Sequence, residues 1–107
     1  MMNIEEIIRL ERENTDGQTI HLFFHEMTGL YYAYGLSAYY TTIAVDPMAS
    51  FSEELNMPVV MLNKSEVLRL RQCMTIVEHI PKCYYKFRLK SKLGNRWYEN
   101  WVKSIRL

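Results

Sequence analysis

Tyr84 to Leu93 alternates strictly. Tyr85, Phe87, Leu89 and Leu93 fall on one face, and Lys86, Arg88, Lys90 and Lys92 fall on the other. A two-residue period is what a β-strand with one dry and one wet face requires. A strand cannot stand alone, because its backbone donors and acceptors need partner strands. The rest of the chain must therefore supply a sheet and something to cover its dry face.

The supply is legible. Thr19 to His25 is too continuously apolar for a half-wet strand and suits a buried one. Leu30 to Tyr34 reads as extended, Pro58 to Leu62 as a short buried strand, and Thr75 to His79 as a further strand. Asn3 to Asn14 reads as a helix with Ile4, Ile7, Ile8 and Leu10 as its apolar stripe, closed by Gly17 after Thr15-Asp16. Asn63 or Ser65 can cap a second helix carrying Val67, Leu68, Leu70 and Met74. Trp97, Trp101 and Ile105, with Tyr98 and Val102, recur every four residues and predict a terminal helix. Asp46 to Asn56 reads as an exposed loop with a helical turn at Ser52 to Leu55. Ser37 to Ala44 stays open: its Tyr and Thr residues favour strand, while Ser37 can cap a helix. The expected class is α/β (α+β), a mixed β-sheet flanked by helices. No repeat, low-complexity tract or linker divides the chain, so one domain spanning 1–107 is expected.

Several function classes fall away. No apolar run approaches the roughly 18 residues needed to span a bilayer. Met1 to Glu13 is acidic and amphipathic, unlike a secretory signal, so a cytoplasmic protein without a membrane association is expected. Cys73 and Cys83 make neither a disulfide framework nor a zinc set, and His21, His25 and His79 are scattered; buried reduced thiols are expected. The adjacent pairs His25-Glu26 and Glu78-His79 lie in strands, where neighbours face opposite ways. No acid–base or nucleophile constellation stands out. The expectation is a protein that is not an enzyme, with no metal site and no cofactor.

Charge is uneven. Residues 1–63 carry two basic and nine acidic residues, net −7, whereas 64–107 carry eleven basic and three acidic, net +8. A basic surface for a polyanion is one reading, and mutual neutralisation of the halves across the fold is the other. Cations alternating along a strand recur roughly every 6.6 Å and can track phosphates. The same row also suits an edge strand guarded by lysines. Tyr31, Tyr32, Tyr34, Tyr39 and Tyr40 can stack bases but more commonly pack; of these Tyr32 is the one expected at the surface. Trp97 and Trp101 dock the last helix, or mark a protein partner's surface if exposed together.

The stretch LFFHEMTGLYYAYGLSAYYTTIAVD, Leu22 to Asp46, resembles without gaps a segment of the mismatch-recognition (first) domain of MutS DNA-repair proteins. Leu22, Phe24, Met27, Tyr31, Tyr34 and Ala38 match in type. MPVVMLNKSEVLRLRQCM continues the likeness through Pro58 and Leu68, and TIVEH at Thr75 to His79 resembles the next strand of the family. The resemblance covers about residues 2–80; the basic strand and terminal helix of 81–107 lie outside it. It implies a sheet flanked by helices, with Ser37 to Ala44 helical. It also implies contact with DNA from the minor-groove side, where the family wedges a Phe at a mispaired base and hydrogen-bonds that base with a Glu. Here the Phe position is Leu30 and the Glu position is Tyr32, so neither residue is retained. Leu can still act as an apolar wedge. Tyr can donate and accept a hydrogen bond without carrying charge. No P-loop pattern occurs.

Two functions are therefore expected. One is a non-catalytic nucleic-acid-binding accessory domain, for DNA rather than RNA, that uses Leu30, Tyr32, Lys86, Arg88, Lys90 and Lys92. The alternative is a protein–protein interaction module that keeps the fold without DNA recognition and presents Trp97 and Trp101. Cations clustered beside Leu30 would favour the first, and an exposed Trp97–Trp101 patch the second.

Overall fold

Two of the helices start where a side chain can satisfy a free backbone N–H. Asn3 Oδ1 accepts from the Glu6 N–H at 2.9 Å and opens α1 (Ile4–Arg12). Asn63 Oδ1 accepts from the Glu66 N–H at 2.9 Å, and the Glu66 carboxylate accepts in return from the Asn63 N–H at 3.0 Å. This reciprocal capping box opens a later helix, Lys64–Cys73, so Asn63 and not Ser65 is the cap. Asn63→Ala is expected to cost about 1 kcal/mol. It should appear as a lowered urea midpoint with an unchanged m-value; an unmoved midpoint would show that the box contributes nothing.

In the computed structural model, which describes residues 3–106, the order is α1, β1 (Thr19–His25), β2 (Leu30–Tyr34), α2 (Gly35–Thr41), β3 (Met48–Ser52), β4 (Met57–Leu62), α3 (Lys64–Cys73), β5 (Thr75–Ile80), β6 (Tyr84–Arg88) and α4 (Tyr98–Arg106). Met1, Met2 and Leu107, the ends of the expected 1–107 domain, lie outside the described residues. The class is α+β, a six-stranded sheet in the order β3-β4-β2-β1-β6-β5 with helices against it. All five pairings are antiparallel, where mixed pairing was expected. The reason is partly local: β1–β2, β3–β4 and β5–β6 are each joined by a short turn, which reverses the chain.

The sheet is covered on both faces. On one, Ile20, Leu22, Ala33, Val60, Leu62, Tyr85 and Phe87 pack with Ala38 and Tyr40 of α2 and Val67 and Leu70 of α3. α4 joins this side through Trp101, whose ring lies 5.5 Å from that of Tyr39. On the other face Ile7 of α1 packs with Phe23, Tyr84 and Leu55. The continuous apolar run of β1 is explained, because its alternate residues serve different cores.

Three local expectations are corrected. The alternating strand ends at Arg88 and does not reach Leu93. The Leu89 N–H still bonds the Gln18 carbonyl at 2.8 Å, opposite it in the β1–β6 register, but beyond it the chain bends and the Leu93 N–H bonds the Gly17 carbonyl at 2.8 Å, off that register. Gly17 does not close α1, which ends at Arg12 with Glu13 as its cap. Gly17 has φ +74°, and a Cβ there would meet the Leu93 carbonyl oxygen at 3.0 Å; it serves this crossing. Finally, Asp46 to Asn56 is not a plain loop. Met48–Ser52 forms the edge strand β3, paired with β4 from Met48↔Met61 to Ser52↔Met57. Its sequence has no alternation to announce it, and pairing with β4 decides its state.

Ser37 to Ala44 is open by propensity. Gly35 to Thr41 is helical, as the resemblance implies, and Ser37 does not cap it. Its hydroxyl is spent on tertiary contacts instead.

Candidate nucleic-acid interface

The four cations of the alternating segment divide into two pairs. Lys86 and Arg88 lie on β6, on the α1 side of the sheet. Lys86 stands opposite His21 of β1 and Glu78 of β5, and Arg88 opposite Thr19 and Thr75. Lys86 is half-buried in a polar cavity of about 190 Å³ that also holds Glu13, Asp16 and His21. Partial burial opposes ionisation of Asp16. Hydrogen bonds from Thr19 Oγ1 and the Gln18 N–H, with the nearby charge of Arg88, outweigh it and hold that carboxyl below its ordinary range. These two cations thus face part of the acidic half of the chain.

Lys90 and Lys92 follow the end of the strand and are exposed. Both rim a cavity of about 280 Å³ floored by Met74, Leu89 and Leu93, next to Cys73. β6 is not an edge strand, since β5 lies outside it. The row therefore does not guard an edge; it turns a corner from the sheet into the loop.

Leu30 and Tyr32 share one face of β2, paired with His25 and Phe23. Both are half-buried. The Tyr32 ring stacks on His25 at 4.9 Å and 12°, so one of its faces is already occupied. Leu30 pairs with one end of β1 and Arg88 with the other. The length of the strand separates these ends by roughly 20 Å. The wedge positions and the cations therefore do not form one cluster.

The tryptophans also part. Trp97 is 58% exposed, with the Arg96 guanidinium 5.1 Å from its ring centroid. Trp101 is half-buried against Tyr39. Cys73 and Cys83 are free thiols, but Cys73 is exposed and Cys83 half-buried, correcting the expectation that both are buried. Cys73 ends α3 on its outer side, and Cys83 sits in the turn before β6.

A buried polar network joins α1, α2 and β1. Ser37 Oγ donates to Glu11 Oε2 and accepts from the His21 N–H at 2.9 Å. The Ser37 N–H donates to Glu11 Oε1 at 3.2 Å, and Asn14 Nδ2 to the Thr19 carbonyl at 3.0 Å. Burial pushes the Glu11 carboxyl up to about 7, although Ser37 and Asn14 donors favour its charge. Burial, reinforced by the Lys86 charge, pushes His21 down to about 4; its Nδ1 lies 2.6 Å from the Tyr84 hydroxyl. Sequence reading missed this network. One signal was present: Glu11 continues the 4, 7, 8 spacing of the α1 stripe, which places a carboxyl on the inward side.

Among the described residues no helix is long and apolar enough to cross a membrane. Compared with protein-family models, with curated proteins and with solved structures, the chain finds no match.

Proposed function

We propose that this chain is a non-catalytic nucleic-acid-binding domain that holds phosphates with Arg88, Lys90 and Lys92, assisted by Lys86. One observation carries the reading. Among the described residues the single ion pair within 4.0 Å is Arg9–Glu13, at 3.4 Å. The cations of the basic half therefore have no carboxylate in contact among these residues. Cations not engaged by carboxylates can take phosphates and release the counterions condensed on a polyanion. The exposed pair at the loop is the best placed of them. DNA is preferred over RNA because of the resemblance of residues 2–80, and Leu30 and Tyr32 form a second contact region at the far end of β1. A cytoplasmic setting suits two free thiols. The other expectation, a protein-interaction module using Trp97 and Trp101 together, is weakened by the half-burial of Trp101.

Fluorescence anisotropy with duplex, mismatched and single-stranded DNA over a salt series tests the proposal. Replacing Lys86, Arg88, Lys90 and Lys92 with Ala should flatten the plot of log K against log salt for duplex DNA by up to about 3.6, since each phosphate contact contributes about 0.9 to the slope. Leu30→Ala should weaken mismatch binding selectively if Leu30 acts as a wedge. No binding at low salt would overturn the reading.

A further inference from the structure

β5 is the anomaly of the fold. It closes the sheet at one edge, and among the described residues its one ladder is with β6. Every one of its six residues is exposed, including Ile76 at 38%, Val77 at 46% and Ile80 at 42%. An edge strand offers a row of unpaired N–H and C=O groups, and proteins ordinarily blunt it with lysines, proline, a β-bulge or a covering element, of which β5 itself has the bulge. The other edge is attended: Arg106 of α4 lies 4.2 Å over the Phe51 ring of β3. β5 has one charge, Glu78, and a bulge between Ile76 and Glu78. The bulge restricts pairing to a strand that follows its bend, while Glu78 to Ile80 keep a regular register.

The ends of β5 are charged differently from its middle. Exposed Lys82 follows it in the turn, with φ +54°. Exposed Arg88 stands opposite Thr75 at its start, with exposed Lys90 two residues beyond. An edge that is apolar at Ile76, Val77 and Ile80, with Glu78 its one acid, is thus bracketed by cations. We infer that β5 is a docking edge for an extended segment of another protein, apolar at its centre and acidic at both ends. Main-chain bonds would supply the affinity, and the flanking cations the selectivity. A second copy of this chain is the poorer occupant. Antiparallel pairing of two β5 strands brings each strand's start beside its partner's start only if the register slips; in full register Lys82 of each copy meets the Arg88–Lys90 end of the other, like charge against like.

The test uses a fluorescent peptide with a Val-Ile-Val-Ile centre and two glutamates at each end, and the same centre flanked by lysines. The acid-flanked peptide should bind at least about tenfold more tightly and lose that advantage with salt. Amides of β5 should gain protection from hydrogen exchange when it binds. N-methylation of alternate peptide amides along one edge should abolish binding, and along the other edge should not. Lys82→Glu should narrow the preference for acidic flanks without unfolding the chain, since Lys82 is exposed. No protection of β5, or equal binding of both peptides, overturns the inference. Concentration-dependent self-association with β5 protected in the absence of peptide also overturns it, by making the second copy the occupant. None of these outcomes depends on DNA binding, which the anisotropy series reads separately.

Discussion

Replacing Glu11 with Gln is expected to make stability rise by about 3 kcal/mol between about pH 4 and pH 6.5, a range over which the parent chain changes little on account of this network. Two opposed titrations produce the flatness. His21 is lowered from 6.5 to about 4, so between those values the unfolded chain carries a proton that the folded chain does not, and stability rises with pH. Glu11 is raised from 4.5 to about 7, so the folded chain holds the extra proton; its stabilisation is complete below 4.5 and is lost as pH climbs through 7. From 4.5 to 6.5 the two slopes have opposite sign and cancel. The amide introduced by Glu11→Gln cannot ionise, yet its carbonyl still accepts from Ser37, so only the His21 slope remains. His21→Phe should leave the reverse: stability falling between pH 4.5 and 7, with a constant offset for the lost bond to the Tyr84 hydroxyl. Urea unfolding of the three chains from about pH 4 to pH 8 reads these slopes directly. Parallel curves for parent and Glu11→Gln would show that Glu11 titrates alike in the folded and unfolded chains, with no upward shift.

The second large effect is in the sheet. Phe87→Ala should cost about 3–5 kcal/mol, a substantial share of the roughly 5–15 kcal/mol typical of a domain. Phe87 is 0% exposed, stacks 5.2 Å from Tyr85, and stands between Ile20 and Ile76 in the neighbouring strands. Ile76→Ala, one strand outward, should cost less, about 1–2 kcal/mol, because over a third of that residue is already in water. Denaturant midpoints of the pair compare the inside and the outside of one cross-strand contact. Equal costs would mean that β5 belongs to the core, which would also remove the basis for a docking edge.

Much of the architecture was readable in the sequence because its signals are local. Asn3 and Asn63 cap through contacts three residues away. Thr19 to His25 and Pro58 to Leu62 become strands because runs of apolar β-formers leave little else possible. The terminal helix follows from four-residue recurrence, and Trp101 packs as that spacing requires. The candidate site was less readable. Its cations were identified by their alternation, but alternation extends only as far as the ladder does. Ladder partners are chosen by residues distant in sequence, and after Leu89 the chain leaves the β1 register, its next bond to this segment joining Leu93 to Gly17. Hence Lys90 and Lys92 part from Lys86 and Arg88. Leu30 and Tyr32 fall at the opposite end of β1 for a similar reason: the β1–β2 turn sets their register, and the β1–β6 pairing sets that of the cations.

By itself the sequence determined a helix-flanked sheet, most strand and helix positions, and a basic C-terminal half, since periodicity, capping and charge are properties of neighbouring residues. Only the tertiary structure decided the antiparallel order β3-β4-β2-β1-β6-β5, the burial of Glu11 beside Ser37, and the exposure of Ile76, Val77 and Ile80 on β5. Each of these depends on which distant segment arrives alongside. An apolar strand reads the same in sequence whether its outer edge is paired or bare, and the difference is made by the neighbour that is or is not there.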